Sequence, residues 1–483
     1  TYDEEVTIQA THDVYLGGTY SLAGSIAVNA ARDIIASNIS LQTTASGQHL
    51  NLSAGRHIAM GTVGSASGGV VMQANAELNV SAVGNITLGA DALLYSTAND
   101  SVVRLSGSLI TVLGAVRAGA TQASDSSVTW TGQRALIDIT ALGGLVVGST
   151  SVGGNLWATG RVNVSSSPDV RGVGVELSVL SSIRADATAQ FGGASAAFGA
   201  STDDGRIQLS SDGDIWLRGA VLASDVGADV QITSRGQVLI DSLVSANDQL
   251  TITGGLHQTG VGVLIETLVL NNANQYVSGG TLDTAAGGTI RVTATDSIFI
   301  KGVVGQRDLG EAKVGLLTLE STSRNVSVYR NIDVRDQVSI LGGDIKVLSG
   351  SYVFATGVNS DVYIRARNSL EVSGSTTVAP NLPNDAIIKA DKLVHLVAPT
   401  MSINGIVQAG IDGKGGCRSC HVGGDGAKLA TVSVKDPVDS SCAMCHSYHM
   451  DAGAPWAPKK DRKKDVAQTV AVAERPRFPV KLR

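Results

Sequence analysis

The chain is poor in most of what a helical or aromatic-cored protein uses. Of 483 residues, 4% are aromatic and 16% charged, with 9 prolines, 5 methionines and 4 cysteines. So few rings exclude a core built around large aromatics and suit a narrow interior of Val, Ile, Leu and Ala. No run of eighteen apolar residues occurs, which excludes a helical membrane span. Asn-Gly and Asp-Gly dipeptides are sparse, which argues against sandwich domains built from ordinary hairpins. There is no initiator Met before Thr1 and no secretory apolar segment, so we expect a processed product whose leader has been removed. Seven Asn-x-Ser/Thr sequons (Asn38, Asn51, Asn79, Asn85, Asn99, Asn163 and Asn325) are what Ser- and Thr-rich alternation would generate unaided.

What is abundant is Gly, at 57 residues, and small β-formers in alternation. Val6, Ile8, Ala10, Asp13, Val14 and Leu16 recur in the same order as Ile26, Val28, Ala30, Asp33, Ile34 and Ala36. They recur again as Leu50, Leu52, Ala54, His57, Ile58 and Met60, and once more as Val70, Met72, Ala74, Glu77, Leu78 and Val80. Ile207, Leu209, Ile215 and Leu217 return as Val230, Ile232, Val238 and Ile240; Ile290, Val292, Ala294, Ile298 and Ile300 form another copy. Val362, Ile364, Ala366, Leu370 and Val372 are followed by Ala386, Ile388, Ala390, Val394 and Leu396. Each unit reads as two short strands, apolar at every second position, joined by a polar corner. Between about 100 and 200 only isolated strands are legible (Val103 to Leu105, Val128 to Trp130, Val162 to Val164), and insertions are expected there.

A strand repeat this short, roughly 20–24 residues, is too small for a propeller blade and fits one turn of a parallel β-helix, in which each coil buries its inward side chains on its neighbours. The expected fold is therefore all-β: a single-stranded parallel β-helix, or solenoid, over 1–410. Near-constant spacing gives on the order of nineteen turns and a rod of ~90 Å. The run from Gly47 through Leu50, Leu52, Ala54 and Gly55 to Ile58 resembles the filamentous-haemagglutinin type of secreted β-helix, which implies an exported, rod-like surface protein and brings no catalytic residue.

All four cysteines lie in two pentads, Cys417-Arg-Ser-Cys420-His421 and Cys442-Ala-Met-Cys445-His446. Two cysteines at this spacing can form thioethers to one porphyrin, and a histidine directly after them can reach the iron. A four-cysteine zinc ribbon has nearly the same spacing, and two disulfides suit an exported chain. Neither explains the histidines. With 8 histidines in 483 residues, chance places one after each pair about 3 times in 10,000.

Residues 411–450 thus resemble a dihaem c-type cytochrome segment. That resemblance makes Cys417, Cys420, Cys442 and Cys445 the thioether donors and His421 and His446 the proximal iron ligands of two covalently bound c-type haems. Such haem is attached outside the cytoplasm, in keeping with export. The motif does not supply sixth ligands. His449 is the first candidate, more naturally for the neighbouring haem. His395 is the second: Val394 and Leu396 read as inward, so His395 faces outward on the turn before the pentads. Met401, Met444 and Met450 are thioether alternatives, which would raise the potential. Trp456 and Tyr448 are candidates for packing against a porphyrin. His12, His49, His57 and His257 read as surface or corner residues. Residues 422–441, polar and short, read as irregular and unable to form a cytochrome core.

From 451 to 483 the composition turns basic: nine Lys or Arg against four acids make this stretch +5 within a chain of −6, leaving 1–450 at −11. Prolines 455, 458, 476 and 479 keep it extended. We expect an extended tail that docks on the acidic part of another copy, and no nucleic-acid partner, since the remainder would repel phosphate. The expected function is extracellular or cell-surface electron transfer, with the periplasm as the other compartment, to other redox proteins or extracellular acceptors by a self-assembling carrier. Two irons each bound on both faces leave no open position, so no enzyme is expected. The competing expectation is a structural or adhesive surface solenoid with accessory haems or a zinc site.

Overall fold

Val, Ile and Leu at every second position can all be satisfied only if successive copies stack in register, side chain on like side chain. The computed structural model describes residues 5–61, 69–124, 127–147, 155–166, 177–179, 205–217, 219–223, 226–266, 269–270, 276–305, 307–308, 311–374, 385–409 and 430–435. Among them the regular structure is strand throughout, and no helix is long and apolar enough to cross a membrane. The architecture is all-β, parallel and β-helix-like, compatible with a β-solenoid. The chain divides into two compact units, Thr1–Val292 and Thr293–Arg483.

In the first unit one parallel ladder runs through Val6, Ile26, Leu50, Leu78 and Val103. It continues through Ile137, Val162, Ile207, Val230 and Leu250. A second ladder runs Val14, Ile34, Ile58, Ile86, Ile110 and on to Val238 and Val263. A third takes Leu41, Met72, Leu94, Val116 and Leu156. Coils of this unit therefore carry three strands, one more than the sequence template. Parallel sheets usually read as unbroken apolar runs because both faces are covered. Here the strands alternate, as in His49–Ala54 and Val70–Ala74, because one face is interior and the other meets solvent. Leu50, Leu78 and Val103 are fully buried, each stabilising its coil by about 1.5–3 kcal/mol.

The third ladder corrects the expected register. Leu50 stacks on Leu78, not on Val70, and Val70 belongs with Ile39. All three ladders share the same period of two, so alternation alone cannot say to which ladder a strand belongs. Likewise Val362 pairs with Val394, while Ile388 pairs with Val353 in another ladder. Val128 and Trp130 lie in an antiparallel hairpin, Ala120–Ser124 with Ser127–Trp130, outside the ladders.

Corners are held by a relay of side-chain acceptors. Asp13 Oδ1 accepts the Asp33 N–H (3.2 Å), Asp33 Oδ1 accepts the His57 N–H (3.1 Å), and His57 Nδ1 accepts the Asn85 N–H (2.9 Å). The fourth corner residue is thus Asn85 rather than Glu77. At the adjoining corner Gly55 is required, because a Cβ there would collide with the Ala31 carbonyl oxygen.

In the second unit Leu317, Val338, Val362 and Val394 form the first ladder. Ile298, Val326, Ile345, Leu370 and Met401 form the second. Ile332, Val353, Ile388 and Val407 form the third. The stretch from Met401 to Val407 is shared by two strands, Thr400–Ile403 and Ile406–Ala409, in different ladders.

Candidate functional site

The strand Leu393–Ala398 ends the first ladder of the second unit, and its two neighbours differ in direction. On one side it pairs in parallel with Asp361–Val372, setting Tyr363 opposite His395. On the other it pairs antiparallel with Ala430–Lys435, setting Ser433 opposite His395. The second strand falls inside the segment expected to be irregular, between the two Cys-x-x-Cys-His pentads. Its sequence, Ala-Thr-Val-Ser-Val-Lys, has the alternation of a strand. The flanking Gly, Lys and Asp hid that signal.

Val394 and Leu396 are fully buried on the interior side, so His395 faces outward. It is half-buried there. Its Nε2 is shielded from solvent and has no hydrogen-bond partner among the described residues. The rings of His395 and Tyr363 meet edge to face, centroids 6.1 Å apart at 61°. Tyr363 donates its hydroxyl to Asp361 Oδ2 at 3.3 Å. Burial, then the Asp361 carboxylate, push that phenol's pKa up, so it stays protonated. Burial holds the His395 pKa below its ordinary value, which favours the neutral ring with a free lone pair. Outward-facing Val397 is also buried, at 5% exposure, so this face is shielded beyond His395 itself.

The other histidines among the described residues are engaged locally. His12 contacts Thr11 Oγ1 (3.2 Å), His49 Nδ1 faces Glu77 (3.4 Å), and His57 serves its corner. His257 lies between Thr259 Oγ1 (2.7 Å) and Asp214 (3.4 Å). Met401, a thioether alternative in the sequence, instead packs inward over Leu370 and is buried, because its place in the alternation is an interior one. Cys417, Cys420, His421, Cys442, Cys445, His446 and His449 lie outside the described residues, as do Met444, Tyr448, Met450, Trp456 and the basic tail. Among the described residues no group of three or more His, Cys, Asp or Glu could hold a metal ion.

A buried imidazole nitrogen without a partner costs about 1–3 kcal/mol unless something binds it. Haem iron takes such a nitrogen as an axial ligand, so His395 fits the group that the pentads imply. Comparisons with protein-family models, with curated proteins and with solved structures returned no match.

Proposed function

We propose that the chain is an exported dihaem c-type cytochrome carried on a parallel β-solenoid, moving electrons outside the cytoplasm. One observation carries the reading: every cysteine of the chain falls in one of two complete Cys-x-x-Cys-His pentads. When bound, haem supplies a one-electron iron couple. In this reading Cys417 with Cys420, and Cys442 with Cys445, would tether the two porphyrins, and His421 and His446 would ligate their irons. The stacked strands supply a rigid support that a short polar segment cannot build for itself. The acidic 1–450 and basic 451–483 favour self-association into a filament or surface array, which would bring haem-bearing ends together. Held by Cys417, Cys420 and His421 and by Cys442, Cys445 and His446, the two haems would supply electron transfer rather than catalysis.

The test is acid-acetone extraction of chain matured with haem, followed by mass spectrometry of the polypeptide. Colour should remain with the protein, and its mass should rise by two haems, falling to one when Cys442 and Cys445 are both changed to Ser. Loss of all colour into the acetone would refute the reading. Four sulfurs around zinc would leave the structural alternative, a surface solenoid of the filamentous-haemagglutinin type, which the β-helix-like fold equally supports.

A further inference from the structure

We infer that His395 is the second axial ligand of one of the two tethered haems, fastening it to the last strand of its ladder. This rests on the dihaem reading and adds what the pentads cannot supply. Among the described histidines, His12, His49, His57 and His257 each have a polar partner, whereas His395 keeps a buried ring nitrogen with none. A strand needing only cover at this place would carry Val or Thr. A shielded, unmatched polar atom calls for a partner, and an imidazole nitrogen is one that haem iron accepts.

Chain connectivity limits how far each pentad can lie from that strand. Ser433 pairs opposite His395, in a strand whose ends are Ala430 and Lys435. Eight residues separate His421 from Ala430, and six separate Lys435 from Cys442. Fully extended, these connections span at most about 30 Å and 25 Å. The antiparallel strand thus ties the segment between the pentads to the residue that would bind iron, and the lengths of the connections exclude neither haem. His449 then serves the other.

The experiment uses the full chain carrying both haems, compared with His395→Ala, His395→Gln and His449→Ala by ferric electron paramagnetic resonance and visible spectroscopy. His395→Ala and His395→Gln should each convert about half of the haem from low-spin to high-spin. Added imidazole should restore the low-spin signal, which repair of a packing defect would not do. Two further backgrounds, Cys417→Ser with Cys420→Ser and Cys442→Ser with Cys445→Ser, each keep one haem. The background in which His395→Ala still changes the spin state names the haem served. Unchanged low-spin spectra in both His395 variants would overturn the assignment. A parent chain without covalent haem would overturn the dihaem reading itself, and the two failures are told apart by the parent's colour.

Discussion

The outward pair Asn51 and Asn79 gives the most direct test of the register. The structure stacks Leu50 on Leu78, so Asn51 faces Asn79, and Asn79 Nδ2 donates to Asn51 Oδ1 at 2.8 Å. The competing register, read from alternation alone, puts Val71 at that place. Adjacent strands lie about 4.8 Å apart, within the Cα separation of about 4.4–6.8 Å that a disulfide spans. In a background with the four native cysteines changed to Ser, the pair Asn51→Cys with Asn79→Cys should therefore close on mild oxidation. The pair Asn51→Cys with Val71→Cys should stay as thiols. Positions 51 and 79 are 28 residues apart, and a loop of that length is worth roughly 3–4 kcal/mol of lost unfolded-state entropy. Losing one amide hydrogen bond costs about 1 kcal/mol. The net should be a gain of roughly 2–3 kcal/mol in denaturant unfolding, reversed by reductant. Peptide mapping without reduction, with a free-thiol count, reads the closure. Closure of 51 with 71 but not 51 with 79 would refute the stack.

Leu78→Ala removes a fully buried side chain between Leu50 and Val103 and should cost about 2–5 kcal/mol, whereas Val358→Ala, at 87% exposure, should change little; equal unfolding midpoints would contradict the assigned interior. The carboxyls of Asp33, Asp100 and Asp336 are held below the usual range, chiefly by hydrogen bonds from Arg56, Arg134 and Arg335. A depressed folded-state pKa gives stability that is present above the unfolded value near 4 and lost as pH falls through the folded one. Because these pairs are exposed, the effect should be small and screened by salt. Thermal scans between about pH 6 and 3 should show less acid sensitivity in the triple Asp→Asn variant than in the parent, and an unchanged difference would refute the pairing.

The part of the fold legible in the sequence was set by physics that repeats. Ile26 over Val6 and Val230 over Ile207 are visible because a coil of constant length puts like residues in like places. The outward direction of His395 follows from its buried neighbours Val394 and Leu396 by the same alternation. Ladder membership was not legible. Val70 and Leu78 are equally good successors of Leu50 by period, and only the pairing of Val70 with Ile39 tells them apart. The longer steps from Val103 to Ile137 and from Val162 to Ile207 break the constant spacing on which a fixed template depends. The two Cys-x-x-Cys-His pentads need no fold to be read, since the chemistry proposed for them lies in five consecutive residues. The strand Ala430–Lys435 was missed because its glycine-rich surroundings dominate any window of composition. Its partner is a long-range one that local pattern cannot supply.

That strand also closes an edge of the fold. A stack of parallel strands has a free edge at its last coil, where N–H and C=O groups of the terminal strand invite another chain to pair. Leu393–Ala398 would be such an edge, and Ala430–Lys435 occupies it running the other way. An antiparallel strand reverses the direction of the chain, so the coil cannot be continued from it, and pairing by a further parallel strand is blocked at that ladder. Closing the edge and anchoring the segment between the pentads are therefore one act, performed by the same six residues. The six residues Ala430–Lys435 thereby gain a fixed place beside Leu393–Ala398, whose outward face carries His395, with its unmatched ring nitrogen, and the buried Val397.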